Sequence, residues 1–251
     1  MVGYASSGIT LLNRCFAGDS RLVCLSEINS RFLCPTPINT PQEQFNVWYQ
    51  EKIPKAPMLE EIRRIRFCAE QMNRMLLVRD WSFGSFVPLK YNNFHPSRTL
   101  NTVDDLKSEF GSSNVVIFCM VRNPIDVWLS MKSSPKAFHD KNLEFLFEFI
   151  QDVQARGIRI FKYEDFCEDS LGVINSMYSF LGLEKIKYIK LSDNVTGDTN
   201  DPGSSRGLLL NEATPLPRRL LTKGDKLFLL RETRARHVME MLNYDTKELK
   251  L

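Results

Sequence analysis

The stretch GYASSGIT, residues 3–10, decides how this chain is read. It has the spacing of the phosphate-binding loop G-x-x-x-x-G-K-[ST], with Gly3, Gly8 and Thr10 in place and Ile9 where that loop carries lysine. Gly3, Gly8 and the amides that follow can form an anion nest at a helix N-terminus, and the Ser6 and Ser7 hydroxyls add neutral donors. A strand-to-helix turn without a ligand has the same pattern. Without lysine the loop lacks the cation that reaches the outer phosphates of a triphosphate, which argues against a kinase or ATPase. Only Met1 and Val2 precede it, so the leading strand is very short or the natural start lies upstream.

Around this loop the chain reads as α/β. Apolar segments at 21–25, 75–80, 115–121 and 158–164 are hydrophobic enough to be strands buried on both faces. Between them helical periodicity runs over about 7–17, 59–74, 102–110, 124–132, 143–156, 168–182 and 223–242. This alternation predicts a single domain over 1–251, a central parallel sheet flanked by helices in three layers. The proline-rich 33–58 and the polar, glycine-rich 193–207 read as loops over the site.

Composition narrows the function. The 251 residues, 43% of them hydrophobic, suffice for one buried core. With 33 basic and 30 acidic residues the net charge is +3, no footprint of a nucleic-acid binder. The six cysteines lie scattered in apolar stretches without metal-ligand spacing, as in a reduced cytoplasmic protein that needs no metal. No apolar run approaches the length of about 18 residues that a membrane span requires, and no signal peptide is evident.

Two further elements are chemically suggestive. In VRNPIDVWLS, Arg122 ends a strand and Ser130 lies two turns into the next helix, so both could reach one phosphate; a strand-end arginine and a solvent-facing serine would read the same way. In FKYEDF, Tyr163 ends a strand on the rim where open α/β sheets bind ligands.

Taken in order, SSGITLL, VRNPIDVWLS and KYEDFCEDSLGVINSMYSFLGLE resemble the three landmarks of sulfotransferases that use 3′-phosphoadenosine-5′-phosphosulfate (PAPS). That family has a P-loop-like fold and no lysine at the position of Ile9. The resemblance implies that Ser7, Gly8, Ile9 and Thr10 hold the 5′-phosphosulfate through backbone N–H groups. It places Arg122 and Ser130 on the 3′-phosphate, Tyr163 near adenine, and Gly197 and Arg206 in a late loop closing over the 3′-phosphate. The product nucleotide would be adenosine 3′,5′-bisphosphate (PAP).

The sequence departs from the family in two places. Ser6 stands where a basic residue supports the departing phosphate, so Arg79 or Arg14 would have to substitute. Phe83 in VRDWSFGSF stands at the family's catalytic histidine, leaving His95 and Asp80 as candidate bases, with a structural hydrogen bond as the alternative role for Asp80. The implied reaction is transfer of a sulfuryl group to a hydroxyl or amine of a small molecule. RDWS is similar to bacterial members, which suggests tailoring of a natural product such as a guanidinium toxin of the saxitoxin type. An inactive PAPS- or PAP-binding module and a metabolite kinase with a degenerate lysine are the alternatives.

Overall fold

The computed structural model describes residues 1–34, 38–88, 96–132, 141–192 and 220–249. Among them are strands β1 (Val2–Gly3), β2 (Leu22–Ile28), β3 (Met75–Asp80), β4 (Phe118–Val121) and β5 (Arg159–Lys162). β1 pairs with β4, β4 with β5, and β2 with β3, all in parallel. The Met1 amine donates to Val78 O at 2.8 Å and Asp80 N donates to Met1 O at 2.9 Å, the bond pattern of a parallel pair. These two bonds join the halves into one sheet of order β2-β3-β1-β4-β5.

Side-chain alternation along the strands divides the core into layers. Met1, Phe118 and Met120 face α1 (Ile9–Ala17), α8 (Tyr163–Glu168) and α9 (Ser170–Phe180), where Leu12, Phe16, Phe166, Ile174 and Tyr178 pack. Val2, Cys119 and Val121 face the opposite way, toward α6 (Pro124–Lys132) and α7 (Asn142–Ala155). On β2, Val23 and Leu25 pack against Phe45 of α2 (Pro41–Trp48) and Ile62 and Ile65 of α3 (Met58–Gln71). The fold is α/β, a parallel sheet between helical layers.

Connections place the functional rim. The chain leaves β1 for α1 on one face and β4 for α6 on the other. The strand order reverses between β1 and β4, and ligands bind where two such loops diverge at the carboxyl ends of strands.

Several elements differ from the sequence reading. The expected loop 33–58 contains α2, which Thr40 and Glu43 cap reciprocally with Pro41 in the first turn. β2 continues past Leu25 through an irregularity in pairing to Ile28. The strand expected from 115 starts at Phe118, after a 3-10 turn at Ser112–Asn114 that follows α5 (Asn101–Phe110). β5 stops at Lys162, so Tyr163 opens α8 instead of ending a strand. A short helix α4 (Ser82–Phe86) follows β3. The last helix is two, α10 (Lys223–Arg231) and α11 (Thr233–Met241), broken at Glu232, whose ψ of 92° is non-helical. The segment 193–207, with Gly197 and Arg206, lies outside the described residues, as does His95. No helix among the described residues is long and apolar enough to cross a membrane.

Phe16 is fully buried and meets the rings of Phe118 and Tyr178 at 5.8 and 5.5 Å, bridging α1, β4 and α9. Phe16→Ala is expected to lower unfolding free energy by about 3–5 kcal/mol, measured by denaturant titration.

Candidate functional site at the β1/β4 crevice

The loop after β1 is built from turns that few side chains tolerate. Ser6 has φ 62° and Gly8 has φ 84°, both left-handed, and Ser7 N donates to Tyr4 O between them at 3.3 Å. Gly8 then caps α1 without a side-chain hydrogen bond. The amides of Ile9, Thr10 and Leu11 in the first turn have no intrahelical acceptor, so partial positive charge collects there. Ile9 points away from this rim. Its Cδ1 occupies the space a Cβ on Gly3 would need, at 2.5 Å, so the position of the missing lysine is filled by core packing.

Three groups expected to share one nucleotide meet at this rim. A Cβ on Gly8 would lie 2.2 Å from Cδ2 of Tyr163, so that ring lies against the loop. The Arg122 guanidinium stacks 4.9 Å from the same ring's centroid. Asn123 N donates to Glu164 Oε1 at 2.9 Å, and Asn123 Oδ1 accepts from Ile125 N at 3.0 Å, fixing the turn from β4 into α6. Tyr244 OH donates to Glu164 Oε2 at 2.6 Å. Ser130 sits half-buried on α6, and Ser6 Oγ lies 3.8 Å from the adjacent Met131 Sδ, so loop and helix approach each other.

A second cluster lies beside Thr10. One Arg79 terminal nitrogen, Nη2, donates to Thr10 Oγ1 at 3.1 Å and to Glu27 Oε1 at 3.0 Å, while Nη1 donates to Ser26 Oγ at 3.2 Å. The guanidinium and the Glu27 carboxylate are largely buried as an ion pair. Arg14, the other arginine considered as a substitute cation, sends its Nε to Ser192 O at 3.1 Å.

Glu27 is not marked by the sequence, which predicts a strand ending at Leu25, two residues before it. The signal available was an acidic residue in LSEINS, at the carboxyl end of a strand otherwise buried. Its φ of 55° is left-handed without glycine, and such strain clusters at functional sites.

Asp80 is placed differently. Its Oδ2 accepts from Ser82 Oγ at 2.6 Å, and that hydroxyl in turn accepts from Gly3 N at 3.4 Å. Burial pushes the Asp80 carboxyl above the ordinary carboxylate value, against the Ser82 hydrogen bond. Phe83 packs its ring on Tyr4, centroids 6.0 Å apart.

No family model matches this sequence, and no curated protein matches it. Solved structures do. The sulfotransferase domain of the Synechococcus PCC 7002 olefin synthase superposes with a TM-score of 0.59 at 16% identity, over 97% of this chain and 94% of that one. The chain has the sulfotransferase fold. A sulfotransferase domain from the curacin biosynthetic pathway gives 0.57 at 13% identity, over 97% and 96% of the two chains. The sulfotransferase from Alicyclobacillus acidocaldarius gives 0.53 at 12%, over 100% and 97%.

For a sulfotransferase fold the residues present suit a phosphorylated nucleotide. Arg122 Nε, on the guanidinium stacked over the Tyr163 ring, is buried and has no hydrogen-bond partner among the described residues, whereas Ser7 Oγ, also unpartnered among them, lies beneath the loop beside Gly3. The space a Cβ on Gly8 would need is filled by the Tyr163 ring, which fixes that ring against the loop. Gly8→Ala is expected to cost at least about 1–2 kcal/mol in left-handed backbone alone. Paired with Tyr163→Ala, which removes the clashing ring, it should cost less than the sum of the single variants, as measured in a double-mutant cycle of unfolding.

Proposed function

We propose that this chain is a PAPS-dependent sulfotransferase that sulfates a hydroxyl or amine of a small molecule. The observation that carries this reading is the convergence of the left-handed Gly8 turn, the Tyr163 ring and the Arg122 guanidinium at the β1/β4 switch point. When bound, PAPS supplies an activated sulfuryl group.

The chain's own residues then divide the work. The free amides of Ile9 to Leu11 hold the 5′-phosphosulfate, while the Ser7 amide is taken by Tyr4 O and the Ser7 hydroxyl lies beneath the loop beside Gly3. Arg122, with Ser130 on α6, holds the 3′-phosphate, and Tyr163 packs beside the adenine. Arg79, bonded to Thr10, brings to the loop the positive charge that Ser6 lacks, where negative charge grows as the bond to phosphate breaks. Glu27, held against Arg79, accepts the proton of the acceptor. Asp80 keeps the structural role of fixing Ser82 beneath Gly3. Gly197 and Arg206 remain assigned from the resemblance alone, and His95 from its nearness in sequence to the position where the histidine is missing. One structural neighbour is a domain from the curacin biosynthetic pathway, which favours natural-product tailoring for this chain as well.

The inactive-module alternative draws on Ser6 and Phe83, whose ring fills the place expected for histidine by packing on Tyr4. The Arg79–Glu27 pair speaks for chemistry, because it puts a cation and a proton acceptor beside the phosphate loop.

Calorimetry tests the nucleotide assignment. PAP is expected to bind at least about tenfold more tightly than adenosine 5′-monophosphate, and Arg122→Ala should abolish the preference, the effect of losing one charge-assisted contact. Equal weak binding of both nucleotides overturns it. Glu27→Gln is expected to lower turnover of PAPS, assayed as PAP release with a panel of phenol, alcohol and amine acceptors, by about 10²–10⁴-fold with PAP affinity retained. Unchanged turnover removes Glu27 as the base.

A further inference from the structure

The Glu27 carboxylate projects from a backbone that would not adopt its conformation unaided. A left-handed non-glycine residue persists only where its surroundings over-determine it. What holds it is α2, the helix in the segment expected to be a loop.

Among the described residues β2 is an edge strand, and α2 covers its open edge with side chains that imitate a neighbouring strand. Tyr49 OH, at the end of the helix, accepts from Cys24 N at 2.6 Å and donates to Cys24 O at 3.3 Å. Two residues along the strand, fully buried Gln44 repeats the arrangement. Its Oε1 accepts from Ser26 N and its Nε2 donates to Ser26 O, both at 2.7 Å. Ser26 is the residue just before Glu27, and its hydroxyl takes the Arg79 Nη1 hydrogen bond. The amide of Gln44 therefore fixes the point where the strand departs from regular pairing and turns Glu27 toward Thr10.

The carboxylate itself is gripped at both oxygens. Oε1 takes the Arg79 hydrogen bond at 3.0 Å, and Oε2 accepts from the Cys34 thiol at 3.3 Å. Cys34 is buried. The thiol donor favours this orientation of the carboxylate and, being weak, leaves Oε2 able to accept the proton of an incoming acceptor as well.

We infer that Gln44 and Cys34 are positioning residues for Glu27, the first setting the backbone from which it projects and the second orienting Oε2, the carboxylate oxygen that Arg79 does not bond. This rests on Glu27 being the proton acceptor.

An infrared test reads the contact without turnover, because the S–H stretch lies clear of other protein bands. The difference spectrum of wild type minus Cys34→Ala is expected to show one S–H band below the free-thiol frequency, and Glu27→Gln should move it. A band at the free-thiol frequency overturns the proposal. In turnover of PAPS with p-nitrophenol and a panel of hydroxyl and amine acceptors, Cys34→Ala should lower kcat about three- to tenfold at unchanged PAP affinity, and Cys34→Ser, which keeps a donor, should recover most of it. Gln44→Met, close in volume but unable to pair with Ser26, should also lower kcat without weakening PAP. Wild-type kcat in both Cys34→Ala and Gln44→Met contradicts the proposal. If Glu27→Gln turns over normally, the base assignment fails and this proposal with it, and that outcome is told apart because the S–H band still reports the contact.

Discussion

Two residues in the middle of the sheet hold the architecture together. β1 is only Val2 and Gly3, yet it is bonded on one side to β4 and, through Met1, on the other to β3. Without it the β2-β3 and β4-β5 pairs would be separate ribbons. Because the chain leaves β1 and β4 for opposite faces, the loop at Ser6–Gly8 and the turn at Arg122–Asn123 diverge at the carboxyl ends of neighbouring strands, with the Tyr163 ring against both. The candidate site lies where the strand order reverses.

Backbone constraints around that crevice support one another. Gly3 must lack a side chain so that Ile9 can pack beneath the loop, and Gly8 must lack one so that Tyr163 can lie on it. Arg122 completes the stack, and Glu164 fixes the turn that carries Arg122 by accepting from Asn123 N and from Tyr244 OH. On the other flank Arg79 links Thr10, Ser26 and Glu27, so the first turn of α1 and the irregular end of β2 share one guanidinium. A buried cation with three oxygen partners offsets much of its desolvation, and it places positive charge next to a loop that has no cation of its own.

Where apolar period and helix signals were strong, the sequence was legible. β3 and α6 have the residue bounds expected, and the phosphate-loop spacing, Arg122 and Tyr163 are brought together in space. α2 was missed because three of its surroundings argued for a loop: prolines on both sides, a weak apolar stripe and few core side chains. Its reciprocal Thr40–Glu43 cap was the readable clue. Glu27 was missed for a related reason. Left-handed backbone at a non-glycine residue leaves no trace in composition, and the side chains that enforce it, Gln44 and Cys34, lie in the same segment set aside as loop. Tyr163 was placed at a strand's end although it opens a helix, an error of one residue that leaves its ring on the same rim.

The most direct measurement is a crystal structure with PAP. The account predicts the 5′-phosphate on the amides at the start of α1, the 3′-phosphate against Arg122, and the adenine beside Tyr163. A nucleotide bound away from the β1/β4 crevice, or a 3′-phosphate that does not meet Arg122, would contradict it.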